Sequence, residues 1–315
     1  MPPYPETDGG CVCNVAISRF ATVHIRDAEQ FGDGTDVAAY GESADAEPLI
    51  AAAVRRAGVH GAEVSLRSDF PTGAGLGGSS AAGVALQGAL AAWRGDGFDH
   101  DRMAIAERSR EVEVVDLGVA GGRQDHYAAA FGGALGLRFT DHVVVQRIAL
   151  TEGTRRELER RALLVYTGQS RISGDTVSAV IDAYRRRSPH VITALARMKD
   201  LAEQMIESLD GGDIDALAAM VGEHWRHQRS LHPAITTERI ETIMERAGAA
   251  GAIGGKALGA SGGGCVLLIA ADSTVAAVRE AVAPLGELVT FTIDLAGLTT
   301  ELVTDRVTTG GGKWA

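Results

Sequence analysis

A run of glycines followed by two serines has the residue types and spacing needed to hold phosphate groups. It reads Pro71-Thr-Gly-Ala-Gly-Leu-Gly-Gly-Ser-Ser-Ala-Ala82, and it lies between a predicted strand and a helix that continues to Trp93. The first backbone N–H groups of a helix lack intrahelical partners and lie at the positive end of its dipole. Glycines let a phosphate approach these donors, and the hydroxyls of Ser79 and Ser80 can bind phosphate or Mg²⁺. Residues 73–80 are therefore predicted to bind nucleotide phosphates.

Three other interpretations of this run stay open. Gly73-x-Gly75-x-x-Gly78 matches a dinucleotide fingerprint, but that pattern normally follows directly on an apolar strand, and residues 68–72 intervene here. A Walker P-loop needs a lysine after four spacer residues, and this run has none. The third interpretation is a tight turn that binds no ligand.

The pattern around this run predicts two α+β domains, at residues 1–155 and 156–315, with the boundary near residues 150–160. In the first half, alternating apolar residues indicate strands at 12–17 and 63–67 and a hairpin of Ala134–Phe139 with Val143–Ile148. The second half is predicted to begin with a strand at 163–166. Three helices follow: one ended by Asp210-Gly211-Gly212, one from Asp213 and one ending at Gly251. Strands at 256–259 and Cys265–Ala270, a helix at 275–283 and a strand at 288–293 complete it. Apart from the inserted helices, this is the β-α-β-β-α-β order of a ferredoxin-like domain.

The overall composition narrows the class of protein. Hydrophobic residues make up 45% and charged residues 23% of the 315, as in soluble globular proteins, and no run approaches the length of a membrane span. The net charge of −11 argues against a nucleic-acid partner, although it is compatible with phosphorylated substrates held by local donors and Mg²⁺. Cys11, Cys13 and Cys265 are too few for a disulfide framework, and the start of the chain has no signal-peptide pattern. We expect a cytoplasmic protein.

Several segments together resemble the GHMP kinases, a superfamily of small-molecule kinases. The glycine–serine run resembles their second signature, and Gly259-Ala-Ser-Gly-Gly-Gly264 resembles the third. Gly121-Gly-Arg-Gln-Asp-His-Tyr-Ala-Ala-Ala-Phe-Gly-Gly133 is similar to the segment that carries the catalytic aspartate in D-glycero-D-manno-heptose 7-phosphate kinases and fucose kinases. Further stretches similar to that branch are Met1-Pro-Pro-Tyr4, Tyr166-Thr-Gly-x-Ser-Arg171, His224-Trp225 and Gly254-Gly-Lys-Ala-Leu-Gly259. The resemblance covers nearly the whole chain and implies an N-terminal mixed α/β ATP-binding domain and a C-terminal ferredoxin-like domain with inserted helices.

The resemblance implies ATP- and Mg²⁺-dependent phosphorylation of a sugar, with the anomeric hydroxyl of the heptose 7-phosphate as acceptor. Asp125 is the implied base, and the neighbouring Arg123 would keep it ionised if their side chains approach each other. Mg²⁺ is assigned to Ser80 and to Glu113, which lies twelve residues before Asp125. The ATP phosphates are assigned to Gly73, Gly75, Leu76, Gly77, Gly78, Ser79, Ser80, Gly262 and Gly263. Sugar contacts are assigned to Tyr4, Gln124, Arg171 and His224.

Each of these roles has a plainer alternative. Asp125 could cap a helix, Glu113 could be a solvated helix carboxylate, and Arg171 and Arg229 could be surface charges. For the whole chain, the alternatives are a fucose or hexosamine 1-kinase, a noncatalytic nucleotide-binding homologue, and an NAD-binding oxidoreductase. The expected partners are small sugars or sugar phosphates, with no nucleic acid and no membrane, and the protein is expected to be a monomer or a homodimer.

The sequence departs from the family pattern in three places. The family normally opens with a strand that carries an arginine or lysine and with a Gly-Gly-Thr-Asp turn before Pro-Pro-Tyr, whereas this sequence starts at Met1-Pro-Pro-Tyr4. We expect either a start codon assigned too late or a natural truncation, with a sheet edge and part of the sugar site exposed and activity weak or absent. Gly78 stands where the branch commonly has serine, and His126 where it commonly has glutamine.

Overall fold

The computed structural model describes residues 4–27, 37–41, 46–71, 73–95, 101–119, 121–169 and 174–302. These residues form three sheets flanked by helices. The helices are α1 (Tyr4–Thr7), α2 (Ala46–Ala57), α3 (Gly78–Arg94), α4 (Arg102–Glu111), α5 (Gln124–Phe131), α6 (Glu152–Arg161), α7 (Gly174–Arg185), α8 (Pro189–Gly211), α9 (Ile214–Ser230), α10 (Glu238–Ala249) and α11 (Val275–Val282). Helix α4 runs directly into a π-helical turn at Val112–Asp116. The predicted α+β class is confirmed.

The first two sheets belong to the first half of the chain and have three strands each. In one, β1 (Gly10–Val15), β5 (Ala134–Phe139) and β6 (Val143–Ile148) lie in the order β1-β5-β6, and the predicted hairpin is confirmed. In the other, the order is β2-β4-β3. Its strands are β2 (Ala21–Asp27), β3 (Val37–Gly41) and β4 (Ala62–Ser68). Among the described strands, β1 and β2 each lie at one edge of their sheet.

The third sheet belongs to the second half and has four antiparallel strands. These are β7 (Ala162–Tyr166), β8 (Ala252–Ala257), β9 (Cys265–Ala270) and β10 (Glu287–Val289), in the order β10-β7-β9-β8. The first and fourth strands of the unit are thus neighbours, and so are the first and third. Four helices, α7 to α10, lie between β7 and β8, where a ferredoxin-like unit has one, so three helices are inserted and the predicted ferredoxin-like arrangement is confirmed.

Two of the predicted strands were misplaced. The strand predicted at 256–259 lies at Ala252–Ala257, because the chain leaves the sheet at Leu258 to cross the glycine-rich segment. The strand predicted at 288–293 ends at Val289. Beyond it the chain pairs with the first half instead, since Ile293 bridges to Ile17 and the Asp294 N–H donates to the Ala16 carbonyl. Residues 290–293 do alternate in the way that predicts a strand, but they pair with residues 16–18 and not with the third sheet.

A shared hydrophobic core holds the two halves together. Leu201 and Ile206 of α8, and Ile214 and Ala218 of α9, pack in one buried cluster with Ala134 and other residues of the first sheet. Burial of this apolar surface across the halves holds the turn between β8 and β9 of the third sheet against the glycine-rich run that precedes α3. Separate cores lie under β2–β4 and within the second half. Across the stretches that the structure describes, none of the helices has the length and apolar character required to span a bilayer.

Candidate active site

The glycine-rich run ends at the mouth of a buried helix, as predicted. Helix α3 begins at Gly78, and its N-cap residue, Gly77, has a φ of 76°, which a residue with a side chain adopts only at a cost. Gly77 has no side chain that could cap the helix, so the amides of the first turn stay available to an anion. Gly73 and Gly75 are exposed, whereas Ala74 is 2% exposed and anchors the segment.

Asp125 lies against this helix mouth. It is in the first turn of α5, and a Cβ atom built on Gly77 would be 3.0 Å from Asp125 Cβ and 3.2 Å from Asp125 Cγ. Burial is the main influence on this carboxyl and raises its pKa. The negative charge of Glu113 raises it as well, while His126, a hydrogen bond from Gln124 and the charge of Lys256 act in the opposite direction. The net pKa is above the ordinary aspartate value.

The third glycine segment packs on the first. A Cβ atom on Gly75 would be 3.0 Å from the Leu258 carbonyl oxygen, so the two chains approach as only glycine permits. The Cys265 N–H donates to the Ala74 carbonyl at 2.7 Å. Gly262 and Gly263, predicted to contact ATP, lie in the turn between these two contacts. The second half of the chain therefore packs directly on the glycine-rich run.

Glu113 is close to the same helix mouth. Its Oε1 accepts a hydrogen bond of 2.8 Å from Ser79 Oγ, and its Oε2 lies 2.9 Å from His126 Nε2. Burial acts to raise the pKa of Glu113, but the hydrogen bonds and charge of His126 and the bond from Ser79 outweigh it, so the pKa is lowered. Glu113 is only 9% exposed, so the alternative of a solvated helix carboxylate is wrong.

The residues present fit a Mg²⁺ ion. Mg²⁺ is usually held by one or two carboxylates together with substrate phosphates and water, and not by a cage of protein ligands. An ionised Glu113 with a serine hydroxyl beside it supplies this set. In keeping with it, the described residues contain no group of three or more His, Cys, Asp or Glu side chains that could hold a metal on their own.

The two serines differ in what they face. Ser79 is exposed at the helix mouth and bonds Glu113, whereas Ser80 is 6% exposed and its Oγ lies 3.3 Å from His126 Nε2. Adjacent residues of a helix point about 100° apart, so only one of two neighbouring serines can face a given ligand. Of the two hydroxyls, that of Ser79 is the one bonded to Glu113 at the helix mouth, and the assignment of Mg²⁺ to Ser80 stays a prediction.

Arg123 does not hold Asp125 ionised, contrary to expectation. Its guanidinium Nε donates to Glu107 Oε1 at 3.1 Å, on α4. Residues two apart near a helix start point in different directions, so proximity in sequence did not bring these two side chains together. Tyr127 Oη also donates to Glu107, at 2.8 Å, which gives the Arg123 contact a structural role in joining α4 and α5.

Sequence reasoning missed Lys256, whose charge does act on Asp125. Lys256 is on β8 beside Ala257, and because neighbouring strand residues face opposite ways, Lys256 is directed away from the core that Ala257 joins. Burial lowers its pKa to about 8, against the opposing influence of Asp125. Its ammonium has no hydrogen-bond or ion-pair partner that the described part of the chain provides. The only sequence signal was a lysine inside a glycine-rich stretch.

Three of the predicted sugar contacts, Gln124, His224 and Tyr4, have different surroundings. Gln124 is at the site, since its Nε2 lies 3.3 Å from Asp125 Oδ2. His224 faces Lys256, and its pKa is well below the usual value because it is buried and because Lys256 and His227 add positive charge nearby. Tyr4 instead packs edge-on against Tyr184, with ring centroids 5.5 Å apart.

The structure describes one of the two arginines for which a surface charge was the alternative. Arg171 lies outside the described residues. Arg229 is exposed and pairs with Glu241 at 2.8 Å, which agrees with the alternative of a surface charge.

A cavity of about 680 Å³ opens beside the carboxylate. Gly77 and Asp125 line one end, and the edges of β1 and β2 form its walls. Asn14 of β1 also lines it; its Nδ2 donates to the Gln124 carbonyl, and its Oδ1 is buried without a partner. The cavity joins the helix mouth to the carboxylate, and a bound polar molecule could satisfy the Asn14 acceptor.

Comparison with known proteins agrees with this geometry. The family GHMP kinases N terminal domain matches residues 46–133, and GHMP kinases C terminal matches residues 205–286. D-glycero-alpha-D-manno-heptose 7-phosphate kinase of Campylobacter jejuni is 33% identical over 202 residues, which are 62% of this chain and 58% of that protein. This chain therefore spans less than two thirds of that relative.

Two further similarities extend over more of the chain. Galactokinase of Mycobacterium bovis is 31% identical over 256 residues, covering 70% of this chain and 68% of that protein. The crystal structure of a D-glycero-D-manno-heptose 1-phosphate kinase from Bacteriodes thetaiotaomicron superposes with a TM-score of 0.71 at 24% identity, over 94% of this chain and 92% of that one. Sequence and fold agree: the chain belongs to the GHMP kinase superfamily of ATP-dependent phosphotransferases.

Proposed function

We propose that this protein is an ATP- and Mg²⁺-dependent sugar kinase whose acceptor is the anomeric hydroxyl of D-glycero-D-manno-heptose 7-phosphate. One observation carries the proposal: Asp125 lies directly against Gly77 at the mouth of α3, with a cavity that both residues line. A helix mouth that binds phosphate and a carboxylate that accepts a proton are the two groups that this reaction needs side by side.

In the proposed reaction, Asp125 takes the proton of the sugar hydroxyl while the hydroxyl oxygen forms a bond to the γ-phosphorus of ATP. The bond between that phosphorus and the β,γ-bridging oxygen breaks, and ADP leaves with the electron pair. The raised pKa of Asp125 suits it to receive this proton. The amides of the first turn of α3 and the backbone of residues 73–77 hold the phosphate chain.

Ser79 and Glu113 are the proposed ligands of Mg²⁺, in place of the pair Ser80 and Glu113. When bound, Mg²⁺ neutralises the charge that builds up on the phosphates. The support is the 2.8 Å contact of Ser79 Oγ with an ionised Glu113 at the phosphate-binding turn. Gln124, His224 and Lys256 are proposed to line the sugar side of Asp125, with Gly262 and Gly263 on the nucleotide side.

The choice of sugar rests on relatives. The heptose 7-phosphate kinase of C. jejuni supports a phosphorylated heptose, and the galactokinase of M. bovis supports a different sugar. We also propose that the chain divides near residue 155 into an ATP-binding domain and a C-terminal domain, with a sugar or sugar phosphate as its small-molecule partner beside ATP.

A panel of acceptors tests the proposal. The full chain would be incubated with ATP and Mg²⁺ and with the heptose 7-phosphate, the unphosphorylated heptose, L-fucose, D-galactose or a hexosamine. Phosphorus NMR should show a sugar 1-phosphate, and the product should lose its reducing end. Turnover of fucose or galactose alone would replace the heptose assignment, and nucleotide binding without turnover of any sugar would indicate a noncatalytic homologue. Binding of NAD in place of ATP would overturn the kinase proposal altogether.

A further inference from the structure

A histidine that is almost fully buried connects three elements around the candidate metal site. His126 is 1% exposed, and it follows Asp125 directly in α5. Its Nδ1 lies 2.9 Å from Ser109 Oγ on α4, and its Nε2 lies 2.9 Å from Glu113 Oε2 in the π-helical turn. The same Nε2 is 3.3 Å from Ser80 Oγ on α3. One imidazole thus contacts a residue of each element that forms the site.

The partners fix how this imidazole is protonated. A hydrogen must lie between His126 Nε2 and Glu113 Oε2, which are 2.9 Å apart, and because a carboxylate accepts hydrogen bonds, Nε2–H is the donor that this geometry offers. The Ser109 hydroxyl can then donate to Nδ1. Ser109 is 1% exposed, and a Cβ atom on Gly83 of α3 would come within 2.4 Å of its Oγ, so the serine has no room to turn away.

The carboxylate of Glu113 is consequently held by one oxygen and free to exchange its partner at the other. Oε2 bonds the buried His126, whereas Oε1 bonds the exposed Ser79 at the helix mouth. A metal ion arriving at the phosphate-binding turn meets Oε1 and the Ser79 hydroxyl, while His126 keeps the carboxylate from rotating. A buried residue that donates to a metal-binding carboxylate typically raises metal affinity 10- to 100-fold.

Resting on the proposed function, we infer that His126 is a positioning residue, which holds Glu113 in the orientation that binds the metal–nucleotide complex and acts without touching substrate. The inference concerns the Nε2–H donor in particular. The contact of Nδ1 with Ser109 orients the imidazole ring so that Nε2 faces Glu113.

Two substitutions separate the contacts of His126. The amide nitrogen of glutamine can occupy the position of Nε2, and that of asparagine the position of Nδ1. His126→Gln therefore keeps a donor for Glu113, and His126→Asn keeps only the contact with Ser109. Each variant loses one buried hydrogen bond, so a purely structural role predicts similar effects of the two on stability and on metal binding.

Binding of Mn²⁺ in the presence of a nonhydrolysable ATP analogue, followed by electron paramagnetic resonance, gives a readout that needs no turnover. We expect His126→Gln to bind Mn²⁺ within about threefold of the unsubstituted protein and His126→Asn to bind about 10- to 100-fold more weakly. Affinity for the metal-free analogue in EDTA should change less than about threefold in both. His142→Ala, which removes a histidine of the exposed β5–β6 turn, is the control and should bind normally.

Equal Mn²⁺ affinities in the asparagine and glutamine variants would overturn the role of His126 and leave the proposed kinase untouched. If the unsubstituted protein forms no metal–nucleotide complex, both the proposed function and this inference are overturned. Thermal unfolding of each variant shows whether weaker binding accompanies loss of the fold. A weak but folded asparagine variant beside a normal glutamine variant is the supporting result.

Discussion

Asp125 packs against Gly77 at the N-terminus of α3, where the glycine-rich run ends. A methyl group on Gly77 would lie 3.0 Å from Asp125 Cβ and 3.5 Å from its Oδ1, closer than the carboxylate tolerates without moving. The φ of 76° at Gly77 adds to this requirement for glycine. The helix mouth and the proposed base therefore meet with no side chain between them.

Gly77→Ala should reduce kcat/KM at least about tenfold, since the new methyl group displaces Asp125 from the helix mouth. The left-handed conformation at residue 77 costs about 1–2 kcal/mol more for alanine, which lowers stability as well. Gly58→Ala is the matched control, because Gly58 has a φ of 64° and no neighbouring atom lies within 4 Å of the position that its new methyl group would occupy. Urea unfolding of both variants measures the cost of backbone strain, and steady-state kinetics measures the effect of moving Asp125. Equal losses of kcat/KM in the two variants would show that displacement of Asp125 is not the cause.

Asp125→Ala should lower kcat about 10²- to 10⁴-fold, the usual effect of removing a positioned acid or base. Asp125→Asn should do the same without changing the volume of the side chain. The free energy of unfolding of Asp125→Asn should not fall at neutral pH, since burial disfavours the charged carboxylate that the amide replaces. Near-normal phosphorylation in either purified variant would remove Asp125 from the proposed mechanism.

The acid limb of the pH profile should report Asp125. Because its pKa is raised, kcat/KM should be lost as the pH falls through a midpoint above about 3.9, the value for an ordinary aspartate. Lys256 lowers this pKa, so Lys256→Met should move the midpoint to higher pH. Profiles recorded on both proteins check the shift, and an unchanged or lower midpoint in the variant would show that Lys256 does not act on Asp125.

Lys256 should also make stability depend on alkaline pH. Its pKa is about 8 in the folded protein, below the value of about 10.4 for a free lysine. Between these values the unfolded chain binds more protons at this residue, so its contribution to the free energy of unfolding rises with pH. Relative to Lys256→Met, the unsubstituted protein should gain about 1–3 kcal/mol from pH 7 to about pH 10. Urea unfolding at several pH values measures the gain, and parallel curves would contradict it.

Ser79→Ala should raise the Mg²⁺ concentration for half-maximal activity at least about tenfold, because it removes the hydroxyl that meets Glu113. Ser80→Ala should alter this concentration less than about threefold and should lower the free energy of unfolding by about 1 kcal/mol, since it removes a buried hydrogen-bonding group. Mg²⁺ titrations at saturating ATP compare the two. A larger effect at Ser80 would return the metal to that residue.

Local pattern was enough to predict much of the fold. The hairpin of β5 and β6, the helix after the glycine-rich run and the ferredoxin-like order all follow from periodicity and turn residues, which act over short stretches of chain. Prediction was poorest where strands ended. Residues 290–293 keep an alternating pattern, but they pair with the first half of the chain through Ile17, and no local signal reveals that partner.

The sequence predicted which residues lie at the site better than it predicted which side chains they contact. Glu113 and Asp125 lie at the helix mouth as the family resemblance implied, and Gly262 lies in the turn that packs on Ala74. Adjacency in sequence favoured Arg123 as the partner of Asp125, yet it bonds Glu107 on another helix. Lys256 reaches Asp125 only through the packing of the two halves, so sequence spacing could not indicate it.

The direction of the Glu113 side chain depends on the number of residues in the π-helical turn at Val112–Asp116. Its Leu117 N–H bonds the Val112 carbonyl, five residues back, so this turn contains one residue more than an α-helical turn. Deleting Val112 alone would restore ordinary winding and swing the Glu113 carboxylate by about 100° around the helix axis. A homologue that lacks the extra residue could keep Ser79, Glu113 and His126 and still direct its glutamate away from the serine. Sequence alignments should therefore be checked for a one-residue gap in this turn before conserved residues are compared.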